Sequence, residues 1–160
     1  MILIGMGANL PSPAGPPQQT LEAALAALAE AGIALERRSP WYRSAPLPAG
    51  DQPWYVNGVV SVATRLAPVA LLGQLHRVEA RFGRLRRQRN EPRVLDLDLL
   101  DHDGALRQEP PVLPHPRLHE RAFVLLPLAD IAPDWRHPAS GASLATLIAA
   151  LPPGQVAERL

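Results

Sequence analysis

The chain contains no cysteine and no lysine; all sixteen of its basic residues are arginine. Without cysteine there is no disulfide framework, no thiolate zinc site and no sulfur nucleophile. Without lysine there is no Schiff base and no P-loop lysine. A GC-rich genome accounts for the chain-wide preference for arginine. Aromatic residues are also few, at 4%. No apolar run approaches the ~18 residues of a membrane helix. Met1 leads directly into Ile-Leu-Ile with no basic segment before it, so the expected setting is cytoplasmic, with no membrane partner. Charge of either sign nearly cancels, at 16 basic against 15 acidic residues. That balance excludes an overall attraction to nucleic acid, though not a local basic patch.

What is present reads as one globular domain over residues 1–160, with 47% hydrophobic and 19% charged residues. Met1 to Gly7 reads as a buried strand. Leu21, Leu25 and Leu28 recur at helical spacing over residues 18–31, and Gly32 suits the stop. Residues 33–43 read as a second strand and residues 55–65, rich in valine, as a third. Leu71, Leu72, Leu75, Val78 and Phe82 predict a helix from Pro68, ended by Gly83. Residues 94–100 form a fourth strand, and short helices are expected over 121–129 and 143–151. The order β-α-β-β-α-β predicts an α+β, ferredoxin-like sandwich. It has an antiparallel sheet, both helices on one face, and a C-terminal helical extension toward the other.

Asp96-Leu97-Asp98 is the sharpest local feature. Residues i and i+2 of a strand share a face, so the two carboxylates stand together while Leu95, Leu97 and Leu99 turn to the core. Paired carboxylates repel unless a cation lies between them, and oxygen-ligated divalent ions suit the arrangement. An exposed acidic strand face is the plainer alternative. Seven arginines crowd residues 77–93: 77, 81, 84, 86, 87, 89 and 93. Such a density is costly unless an anion offsets it, and guanidinium forks match phosphate oxygens. Glu79 falls at the edge of an apolar helix stripe, as a boundary residue or as a hydrogen-bond partner. His115 is held between Pro114 and Pro116. Tyr55 and Asn57 share one strand face, able to stack on a flat heterocycle and read its edge.

These segments resemble the 6-hydroxymethyl-7,8-dihydropterin pyrophosphokinase family of folate biosynthesis. The matching segments are Ile4-Gly5-Met6-Gly7-Ala8-Asn9-Leu10, Tyr42-Arg43-Ser44-Ala45-Pro46-Leu47, Asp51-Gln52-Pro53 with Tyr55 and Asn57, and Glu79 with Gly83-Arg84-Leu85-Arg86. They continue through Pro92-Arg93-Val94-Leu95-Asp96-Leu97-Asp98, Pro114-His115-Pro116-Arg117 and Arg121-Ala122-Phe123-Val124-Leu125. The resemblance implies transfer of an intact diphosphate from ATP to the pterin hydroxymethyl group, releasing AMP. Two Mg²⁺ ions would sit on Asp96 and Asp98, with Arg84 and Arg93 as further catalytic residues on a closing loop. Asp96 would orient or deprotonate the pterin hydroxyl. The pterin would stack between Tyr55 and Phe123, its edge read by Ser44, Ala45, Leu47 and Asn57. ATP would meet Glu79, Arg86, Arg89, Arg93, Leu99, His115 and Arg121. The chain departs from the family pattern at Ala45, at Asn90-Glu91, where an aromatic often stands, and at Pro110. The resemblance further implies a monomer and no nucleic-acid partner. An RNA-binding module, or a small-molecule regulatory domain of the same fold, is the alternative.

Overall fold

The computed structural model describes residues 1–46, 48–84 and 93–160. Its sheet is antiparallel throughout. Strand β1 (Ile2–Ala8) lies between β5 (Asp96–His102) and β4 (Tyr55–Ala63). On the far side of β4 lie β2 (Ala34–Arg38), against residues 60–63, and β3 (Tyr42–Ser44), against residues 55–57. β6 (Ala157–Arg159) then adds to β3.

The alternation of β1 sorts two cores. Ile2, Ile4 and Met6 join Leu21 and Leu28 of α1 (Pro17–Glu30) and Leu71 and Leu75 of α2 (Pro68–Arg81) on one face. Leu3 turns to the other face and meets Val124, Leu125 and Leu128 of α3 (Ala122–Ile131) and Leu144 of α4 (Leu144–Ala149). Each fully buried leucine contributes about 1.5–3 kcal/mol. Gly5 and Gly7 share the face of Leu3, and they leave a side-chain-free floor beside the edge of this second core.

Both long helices stop in the same way. Past α1, Gly32 has φ of 81°, the Gly32 amide donates to Ala29 and the Ile33 amide to Leu28. Past α2, Gly83 has φ of 91°, the Gly83 amide donates to Ala80 and the Arg84 amide to Glu79. These are Schellman endings, which set the second residue after the helix over its last turn. In α2 that brings Arg84 onto Glu79.

The structure differs from the expected elements in three places. The second strand is two strands, because Pro40 cannot donate to a ladder and the chain turns there to bury Trp41 among the helix-side residues. The fourth strand starts at Asp96 and continues through His102, with a bulge opposite Leu3 and Ile4. β6 was not expected: its residues are half-buried to exposed and carry no apolar alternation.

A Cβ added at Gly58 would lie 2.5 Å from the ring of Trp41. Gly58→Ala should therefore cost about 1–3 kcal/mol, read as a lower urea midpoint at unchanged slope.

Candidate functional site

A cavity of about 730 Å³ opens over the glycine floor. β5 contributes Asp96 and Asp98, β4 contributes Tyr55 and Asn57, and β3 with its continuation contributes Ser44 and Ala45. Arg93 closes one side, His115, Arg121 and Phe123 another, and Pro152, Pro153 and Gln155 a third. A Cβ at Gly7 would sit 2.8 Å from the Asn57 amide nitrogen, so the floor must be glycine for Asn57 to lie across it. Ser44 donates its hydroxyl hydrogen to Asn57 Oδ1, which leaves the Asn57 amide group as the donating end.

The charged wall is a relay. Glu79, 1% exposed, accepts from the Arg84 guanidinium and from the Leu97 amide at 2.9 Å. Arg84 also donates to Asp96 at 2.6 Å, and Arg93 donates to the other Asp96 oxygen at 2.9 Å. Burial works against the Arg84 charge, but the Asp96 and Glu79 carboxylates outweigh it and raise its pKa. Among the described residues the buried Nε–H of Arg84 and that of Arg93 meet no acceptor. Arg93 lines the cavity, where an orphan guanidinium donor fits an anionic ligand.

Asp98 is held differently. Arg121 is 4.0 Å away, and its ordinary hydrogen-bond reach falls short. Burial, and then the charge of Asp96, push the Asp98 pKa up to about 7 against the pull of Arg121. A recessed carboxylate short of positive charge fits a hard cation. Among the described residues no group of three or more His, Cys, Asp or Glu side chains is placed to hold a metal. Asp96 and Asp98 are two carboxylates on one face that could hold a hard cation, which would need further oxygen donors to complete its shell.

Arg121 lies over the Phe123 ring at 5.4 Å. Burial lowers the Arg121 pKa, partly offset by Asp98. His115 accepts the Arg117 amide at Nδ1, 3.1 Å, so its Nε2 carries the proton in the neutral ring. Burial, and then Arg121, bring the His115 pKa down to about 4. Tyr55 has its pKa raised by burial and stays a neutral phenol.

Most expected site residues thus converge on the cavity. Four assignments change. Glu79 is a buried hydrogen-bond partner and not a boundary residue. Arg84 stands behind Asp96 and outside the cavity lining. The arginine density is met partly by the protein's own carboxylates, with Arg81 on Glu30 at 3.0 Å and Arg84 and Arg93 on Asp96. Leu99 is 4% exposed in the helix-side core, so its side chain does not reach the cavity. Leu47, Arg86, Arg89 and the Asn90-Glu91 pair lie outside the described residues. Two contributors were missed. Asn9, 2% exposed, accepts the Arg93 amide at 2.8 Å and donates to Gln52 and Pro53, tying two walls together. An asparagine just past a strand end was the available signal. Gln155 had none.

The cavity brings arginine side chains, two carboxylates, two aromatic rings and a fixed amide together, a set that could take a polyanion beside a flat ring. Residues 3–133 match the family model for 7,8-dihydro-6-hydroxymethylpterin-pyrophosphokinase (HPPK), and the chain belongs to that family. The 2-amino-4-hydroxy-6-hydroxymethyldihydropteridine pyrophosphokinase of Synechocystis is 45% identical over 148 residues, covering 91% of this chain and 73% of that one. Its counterpart in Pseudomonas aeruginosa is 43% identical over 153 residues, covering 94% and 91%. Wild-type HPPK-DHPS of Plasmodium falciparum shares the fold, with a TM-score of 0.70 at 13% identity. The match covers 91% of this chain and 42% of that longer one.

Removing Glu79 takes the acceptor from the Leu97 amide and leaves the buried Arg84 guanidinium with Asp96 as its remaining carboxylate, so Glu79→Leu should cost about 1–3 kcal/mol in urea unfolding. The lowered pKa of His115 gives a second expectation. Its contribution to stability is complete above its ordinary value of 6.5 and is lost as pH falls through about 4. The urea midpoint should drop across that window, and His115→Gln should flatten part of the drop.

Proposed function

We propose that the chain transfers the β,γ-diphosphate of ATP, intact, to the hydroxymethyl group of 6-hydroxymethyl-7,8-dihydropterin, leaving AMP, in folate biosynthesis. Family membership carries the reading. The meeting of Asp96, Asp98, Arg93, Tyr55 and Phe123 on one cavity supports it in chemical terms. The pterin lies between Tyr55 and Phe123. Asn57, held by Ser44, meets its edge with Ala45 beside it, and the family likeness alone adds Leu47. ATP phosphates lie toward Arg93, His115 and Arg121, and the family likeness alone adds Arg86 and Arg89 as contacts for ATP.

The pterin hydroxyl oxygen bonds to the β-phosphorus as the bond from that phosphorus to the bridging α,β-oxygen breaks; the hydroxyl proton is released to solvent and AMP leaves. Such a transfer asks the protein for alignment and for charge placed where the phosphoryl oxygens need it. Two Mg²⁺ ions on Asp96 and Asp98 would neutralise the polyphosphate. Two guanidinium partners fix the direction of Asp96 and engage both of its oxygens. That suits Asp96 to orienting the hydroxyl more than to taking its proton. Neutral His115 donates one hydrogen bond from Nε2 without adding a second cation beside Arg121. Arg84 acts through Asp96.

The strand order, β5-β1-β4 with β2 and β3 together beyond, supports a ferredoxin-like reading. In it the second strand of the plan is broken and helices α3 and α4 are added to the second face. Two cores sharing one sheet support a single catalytic domain. No described helix is long and apolar enough to cross a membrane. A cytoplasmic site of action goes with ATP as co-substrate. The RNA-binding and regulatory alternatives have no support in the family match.

With ATP, Mg²⁺ and the hydroxymethyldihydropterin, AMP should form in step with the pterin diphosphate, followed by chromatography. ADP in place of AMP overturns the reading. Asp96→Ala should lower kcat by at least about 100-fold.

A further inference from the structure

Helix α3 begins with Arg121 at its N-cap position, and that side chain makes no capping hydrogen bond. Helix starts are ordinarily capped by Ser, Thr, Asp or Asn, whose short side chains turn back onto the first free amides. An arginine reaching into the cavity cannot do this. The cap comes instead from Gln155, 33 residues on from Ala122. Its Oε1 accepts the Ala122 amide at 2.8 Å, and its Nε2 donates to the Glu120 carbonyl at 2.6 Å. The two backbone groups flank Arg121, and their opposite polarity fixes which way the Gln155 amide faces.

The neighbouring residue ties down the opposite wall. The Val156 carbonyl accepts the Ala45 amide at 3.1 Å, and Ala157 pairs with Ser44. Beyond it, Arg159 is anchored on Asp130 of α3 and donates to Tyr42 at 3.2 Å. One short segment, beyond the residues 3–133 that match the family, thus joins the Ser44 side of the cavity to the Arg121 side.

We propose that Gln155 is a positioning residue: it caps α3 in place of Arg121 and so frees the Arg121 side chain to serve the cavity. The proposal rests on the reading of Arg121 as a contact for ATP. Loss of the cap lets the first turn of α3 fray, and the guanidinium loses its fixed place beside Asp98.

The test is steady-state kinetics on the full chain. Gln155→Ala should raise the KM for ATP about five- to tenfold with kcat within about twofold, since the Arg121 contact it weakens binds ATP equally in the ground state and the transition state. Gln155→Glu keeps an acceptor for the Ala122 amide at a helix N-terminus, where negative charge is favoured, but loses the donor to the Glu120 carbonyl, so it should bring the KM for ATP part of the way back, to at least about twofold below that of the Ala variant. In an Arg121→Ala background, Gln155→Ala should add no more than about twofold, because it acts through Arg121. A merely structural role would lower the active fraction, reducing kcat at unchanged KM, and would persist in that background. That outcome overturns the proposal, as does an unchanged KM for ATP or a Glu variant as impaired as the Ala variant. If Gln155→Ala does not fold, the Glu variant and its combination with Arg121→Ala decide. A parent enzyme that makes no AMP refutes the functional reading itself, before any variant is compared.

Discussion

The carboxylate of Asp96, gripped by Arg84 from behind and Arg93 from the side, is the contact on which the rest of the site is arranged. Buried charge is tolerable when each ion finds a partner of opposite sign at hydrogen-bond distance. Here the four charged groups come from two short stretches of chain, residues 79–84 and residues 93–96, and Glu79 completes the set from inside α2. The Schellman ending of that helix puts Arg84 where an apolar contact usually lies and so turns a helix stop into a charge relay. Asp98, two residues along the same strand, stays comparatively short of cations. The two aspartates share a face and differ in electrostatic condition, one satisfied and one wanting.

The sheet supplies the geometry that makes this possible. Alternation sends Leu97 and Leu99 into the helix-side core and turns their neighbours toward the cavity. Gly5 and Gly7 keep the middle of the sheet low enough for Asn57 to lie flat. Specific ring recognition then needs little more than aromatic walls and a fixed amide, which Ser44 provides through Asn57 Oδ1.

The legible parts of the sequence were those governed by local periodicity. The D-L-D triplet declared its own face, since strands repeat every two residues, and the leucine stripes declared both long helices. Glu79 was not readable in isolation: its worth depends on β5, eighteen residues away, offering the Leu97 amide. Gln155 was less readable still, for its partners are backbone groups and any residue supplies those. Leu99 shows the opposite case. Its alternation already placed it in the core, and the family likeness alone suggested a ligand contact. The split of the second strand follows from Pro40, visible in sequence but read through.

β5 also closes one border of the sheet, with β1 as its ladder partner. Open borders invite other chains to add a strand, and proteins blunt them with charge or cover. Here the outward Leu97 amide is taken by Glu79 at 2.9 Å, the Leu100 carbonyl by the His115 amide at 2.9 Å, and aspartates alternate along the strand. The acids to which polyphosphate chemistry is assigned in our proposal therefore also make this edge a poor template for aggregation. Replacing them with apolar residues would do more than silence the enzyme: it would leave a sticky margin where the native sheet ends.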